Sequence, residues 1–138
     1  MIQKILEFWG PIILRFGMAA VILWFGWQQA LHAEQWAAYV PDSAVALTGF
    51  NALGLVYLNA VFEAVFGLLL LFGLQTRLVS FFLSAHLFGI MWAVGYGEIG
   101  VRDFGLAIAT LVVFINGPDA FCLQQRKVES IVKAEPQS

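Results

Sequence analysis

Charge is the scarcest property of this sequence. Only 12% of its 138 residues are Asp, Glu, Lys or Arg, about half the share of an ordinary soluble domain, so the chain cannot cover a globular surface with polar groups. Cysteine is scarcer still. With one thiol, Cys122, the chain alone forms no intramolecular disulfide, dithiol relay or cysteine metal cluster, and disulfide oxidoreductase chemistry is excluded. Cys122 reads most simply as a small apolar residue. There are two histidines, His32 and His86, and the spans read below separate them by roughly 15 Å along the membrane normal at 1.5 Å per residue. They are not the axial ligands of one haem. The net charge of -2 predicts no nucleic-acid partner. No nucleotide-binding loop, HExxH helix, nucleophile elbow or metal-ligand set occurs.

What the chain has in abundance is apolar sequence: 61% hydrophobic residues and a mean hydropathy of +0.83. The apolar residues come in unbroken runs, which predicts an all-α integral membrane four-helix bundle. The spans fall at about 11–29, 52–74, 78–96 and 101–116, lengths that approach or reach the roughly 17 to 25 residues a membrane crossing requires. Pro11 suits a first helical turn, and Asn116-Gly117-Pro118 reads as a helix stop. A longer segment with Trp36 and Tyr39 separates the first two spans as an interfacial helix or loop. A β-barrel would need strands alternating over about ten residues, which are missing.

Lys4, Arg15, Arg77, Arg126, Lys127 and Lys133 fall on one side of such a bundle and only Arg102 on the other. The positive-inside rule then predicts a multi-pass protein of the cell (inner) membrane with both termini cytoplasmic. The membrane domain is 1–123, and 124–138 is a polar cytoplasmic tail. The first run lacks a small-x-small cleavage site and reads as an uncleaved anchor.

Function is sought where charge enters this apolar setting. Glu63 and His86 lie near the centres of the second and third runs, about equally far from the turn Gly73-Leu74-Gln75-Thr76-Arg77. Intramembrane ionisable residues are costly and mark functional sites. Asn59, Glu63 and Gly67 share one face of the second helix; Phe82, His86, Gly89 and Ala93 share one of the third. If the faces meet, Glu63 and His86 form a pair that titrates as a unit and suits a proton relay or a quinone head-group site. The plain alternative is a polar pair that fixes helix register. Arg15, about a turn inside the first helix, either snorkels to the inner surface or faces the bundle to meet a carboxylate or an anionic head group. Glu98 and Arg102 are spaced as an i,i+4 pair, and Asp103 can complement the positive end of the fourth helix. These three cap that helix or, with His32, Glu34 and Asp42, rim an outward-facing site.

The chain resembles the DoxX-like family of small four-helix membrane proteins over roughly 13–119. The resemblance is carried by Leu14-Arg15-Phe16-Gly17, Phe62-Glu63-Ala64-Val65-Phe66-Gly67, the turn Gly73-Leu74-Gln75-Thr76-Arg77, and Asn116-Gly117-Pro118. It implies a functional intramembrane Glu at Glu63 and an association with membrane redox enzymes, including thiosulfate-quinone oxidoreductase subunits. The family often has a lysine where this chain has Gln29. Two functions follow as expectations. One is an accessory subunit of a quinone-connected redox system, with thiol chemistry delegated to a membrane or peripheral redox protein. The other is a non-catalytic scaffold or carrier of hydrophobic, lipid-like molecules. Neither assigns catalysis to the isolated chain. Its expected partners are the bilayer, a redox protein and a second copy of itself.

Overall fold

The computed structural model describes residues 1–125, which form six helices and no strand. The part of the expected cytoplasmic tail at 126–138 lies outside the described residues. The long helices are α1 (Ile2–Leu31), α4 (Ala52–Phe72), α5 (Thr76–Val94) and α6 (Glu98–Asn116); two short ones, α2 (Ala33–Ala37) and α3 (Asp42–Thr48), join α1 to α4. Three helices, α1, α4 and α5, are long and apolar enough to cross a membrane. α6, with 19 residues, matches α5 in length.

Helix boundaries follow local chemistry. Asn51 caps α4 by accepting the Gly54 amide at 2.7 Å, the usual role of Asn at this position. At the other end of α4, Gly73 takes φ 65°, and the Leu74 amide returns to the Leu69 carbonyl at 2.9 Å. This left-handed glycine stop ends α4 at Phe72, two residues before the expected boundary, and lets α5 start at Thr76. α6 begins at Glu98, three residues earlier than expected. Pro11 is the larger correction: it lies inside α1, which starts nine residues before it. That first stretch is exposed along its length, its one aromatic contact outside the helix among the described residues being the Trp9 ring 6.2 Å from Phe121.

α1 packs chiefly on α4, and α5 on α6. Gly26 permits the first pairing. A Cβ there would stand 3.1 Å from the Ala60 carbonyl and 3.2 Å from the Ala64 nitrogen, so only a bare backbone lets α1 approach α4 this closely. Ser84 ties the second pair by donating to the Ala107 carbonyl at 2.9 Å. The apolar core, with Ala19, Ile22, Leu70, Leu83 and Val113, joins the pairs toward the α4–α5 turn. Over the 18-residue apolar stretch of each candidate span only 28% is buried. The remaining faces carry exposed apolar side chains such as Trp27, Leu58 and Trp92, a surface suited to lipid rather than water.

Candidate functional site

Away from the core, toward the end that bears α2 and α3, the two helix pairs separate around a cavity of about 370 Å³. That is the size class of small-molecule sites. α4 contributes Asn59, Phe62 and Glu63, α5 contributes His86, and α6 contributes Arg102 and Asp103. Trp36 and Tyr39, from α2 and the turn after it, complete the side facing the α1–α4 connection. Most of the wall is apolar, including Leu55, Leu58, Ile90 and Val94.

Glu63 is the twelfth residue of α4 and is 5% exposed. An unpartnered polar group at that depth costs roughly 2–7 kcal/mol, and two amides meet it. Gln29 donates its Nε2 to Glu63 Oε2 at 2.7 Å, and Asn59 donates its Nδ2 to Glu63 Oε1 at 3.1 Å. Asn59 Nδ2 also donates to Gln29 Oε1 at 2.6 Å, closing a three-residue ring across α1 and α4. Gln29 is thus a neutral donor to the carboxyl group.

His86 lies on the same cavity but does not hydrogen-bond Glu63, so the expected direct pair is replaced by the Gln29–Asn59–Glu63 ring. The His86 imidazole packs on the Phe62 ring at 4.3 Å. Its Nε2 is buried and has no hydrogen-bond partner among the described residues.

Arg15 belongs elsewhere. It is 1% exposed and some 14 residues from Gln29, roughly 21 Å along α1, at the α4–α5 turn and outside the cavity. It does not snorkel. Its Nε donates to Asp119 Oδ2 at 2.6 Å, its Nη2 to Asp119 Oδ1 at 3.1 Å, and its Nη1 to the Leu70 and Leu71 carbonyls at 2.8 and 2.7 Å. It therefore meets a carboxylate in fork geometry while donating to two carbonyls at the C-terminus of α4, of which Leu70 also accepts from the Gly73 amide at 3.2 Å. Burial would raise the Asp119 carboxyl, but hydrogen bonds from Arg15 and the Phe121 amide, with the Arg15 charge, hold it below its usual 3.8. Cys122 is fully buried beside this pair, 3.4 Å from Thr76 Oγ1 and 3.3 Å from the Asp119 nitrogen.

The expected outer rim divides. Arg102 pairs with its neighbour Asp103 at 2.7 Å rather than with Glu98, and lies 4.5 Å over the Phe25 ring. Asp103 is buried in the sixth position of α6, too far along to cap it; Glu98 occupies the first turn. His32, Glu34, Asp42 and Glu98 do not line the cavity.

The DoxX family model matches residues 10–96, more than half of the chain. The chain belongs to the DoxX family. The DoxX match includes the Gln29–Asn59–Glu63 ring and His86; Arg102, Asp103 and Asp119 lie beyond it. No curated protein and no solved structure matches the chain. Sequence reasoning singled out Glu63, His86 and Asn59 but missed Gln29 as a partner of Glu63 and Asp119 as the partner of Arg15. A charged residue inside an apolar helix signals that a counter-charge must exist somewhere; nothing local says where.

Proposed function

We propose that this DoxX-family protein is a membrane-embedded binder of a ring-bearing apolar molecule, with a quinone of the membrane redox pool as the best chemical fit. In this reading it serves as an accessory subunit of a quinone-connected redox system. One observation carries it: an apolar cavity that meets a buried polar ring and an unpartnered imidazole nitrogen. An unsatisfied buried nitrogen costs about 1–3 kcal/mol, a penalty that a ligand's polar group removes. Apolar walls with a few convergent polar groups are the usual construction of small-molecule sites. The residues present therefore fit a quinone: Leu58, Ile90 and Val94 would hold its apolar part, with Glu63, Asn59 and His86 at its ring. When bound, it would supply the two-electron chemistry that these side chains lack.

The same proposal places α6 as a fourth span, since its 19 residues cover roughly 28 Å at 1.5 Å per residue. Both termini are then cytoplasmic in the inner membrane, by the excess of Lys and Arg on the side of the α4–α5 turn. A carrier of other lipid-like molecules is the second reading, favoured by the apolar majority of the wall.

Mass spectrometry of small molecules retained by protein purified in mild detergent distinguishes these readings. Quinone is expected in wild type and is lost in Ala93→Trp, which fills the cavity from α5. A retained lipid of another class would support the carrier. Protein that retains neither, and that does not respond to added decylubiquinone, would sink both.

A further inference from the structure

The end of the molecule opposite the cavity carries a second opening. Between α5, α6 and the chain that follows α6 lies a pocket of about 600 Å³. Its apolar part is made by Leu78 and Phe81 of α5 and Phe114 of α6. Leu78 is 56% and Phe81 49% exposed, and the Phe81 and Phe114 rings lie 5.8 Å apart. Its polar part is Arg77, flanked by the Gln75 and Gln124 amides, and no acidic residue lines it.

Arg77 is held in place without being neutralised. Its guanidinium lies along Gly117, where an added Cβ would stand 2.7 Å from Nε and 3.0 Å from Nη2, so the bare backbone of that residue seats the side chain. No side-chain N–H of Arg77 meets an acceptor among the described residues, where the two ion pairs belong to Arg15 and Arg102. Asp119, two residues beyond Gly117, is already taken by Arg15. The seated charge stands in the first turn of α5, and the apolar wall begins beside it. Phe81 is four residues further along the helix, roughly 6 Å deeper at 1.5 Å per residue.

This order, an unneutralised guanidinium at the helix end and exposed apolar side chains below it, fits an amphiphile with an anionic head. A guanidinium offers phosphate oxygens a planar fork of donors. We propose that the pocket binds one anionic phospholipid, with its phosphodiester on Arg77 and an acyl chain along Leu78, Phe81 and Phe114. A zwitterionic phospholipid brings the same phosphate, but its ammonium group finds no carboxylate on the pocket wall. The site therefore favours phosphatidylglycerol over phosphatidylethanolamine, whatever occupies the cavity between the helix pairs.

The test is native mass spectrometry of the full-length protein in mild detergent, titrated in parallel with phosphatidylglycerol and phosphatidylethanolamine of identical acyl chains. Wild type is expected to bind the first about tenfold more tightly, the worth of about one charge-assisted hydrogen bond. Arg77→Gln should bring the two lipids within about threefold of each other. Lys4→Gln removes the same charge at an exposed position outside the pocket and should leave the preference intact. Glycerol 3-phosphate, which has the anion without the chains, should not displace bound phosphatidylglycerol at equal concentration. Equal binding of the two lipids by wild type, an equal loss in both variants, or displacement by glycerol 3-phosphate overturns the proposal. If Arg77→Gln does not fold, the wild-type ratio and Lys4→Gln still decide.

Discussion

Among the described residues, Arg15 and Asp119 form the most heavily committed polar contact, with one guanidinium making four hydrogen bonds. Removing either side chain strands the other in a buried setting, which typically costs 3–5 kcal/mol. Arg15→Ala and Asp119→Ala should each lower thermal stability in detergent by about that much, with the double variant no worse than the more damaging single one. An additive double loss would show that the two act separately. The depressed Asp119 carboxyl sets a sign for pH: the pair's contribution is full above 3.8 and is lost as pH falls through the lower folded value. Acid titration of the melting temperature should therefore show a step in wild type that Asp119→Asn lacks. His86 calls for the opposite expectation. His86→Phe removes an unpartnered nitrogen, so its melting temperature should hold or rise while ligand retention falls; a large loss of stability would mean that the imidazole has a structural partner.

At the scale of helices, the decisive contact is the one at Gly26. Extra volume there meets the α4 backbone at 3.1 and 3.2 Å, and backbone cannot swing aside as a side chain can. Gly26→Val should push α1 from α4, cost about 1–3 kcal/mol by overpacking, and break the 2.7 Å Gln29–Glu63 bond. Gly17→Ala is the matched control on the same helix. Nothing lies within 4 Å of its added carbon, so the better helix propensity of alanine, up to about 1 kcal/mol, should leave it neutral or more stable. Equal melting shifts for the two variants would contradict a close crossing at Gly26. This contact also explains what was legible beforehand. The Gly73 turn and the depth of Glu63 follow from local residue types and helical rise. Which neighbour faces Glu63 depends on the rotation of α1 against α4, set by a backbone contact between residues 34 or more positions apart. Pro11 misled because proline's favoured first-turn position says where a helix can begin, whereas α1 runs nine residues before it.

The whole molecule is polar at two separate levels and apolar around both. Its orientation is open to direct measurement. In a Cys122→Ser background, Tyr96→Cys and Gln75→Cys place single thiols at exposed positions on opposite ends of the bundle. A membrane-impermeant maleimide applied to intact cells should label the first and spare the second; the reverse pattern would invert the proposed topology. In the unaltered chain, buried Cys122 should resist the same reagent until the protein is denatured.

The Arg15–Asp119 contact joins residues 104 positions apart, one in the first helix made and the other beyond the last long helix. During synthesis the arginine enters the membrane well before its carboxylate exists. Until residue 119 emerges, the Arg15 charge has no carboxylate to meet and only the Leu70 and Leu71 carbonyls to accept from it. Closure of this contact therefore requires nearly the whole described chain. A chain interrupted before Asp119 keeps Arg15 without its counter-charge.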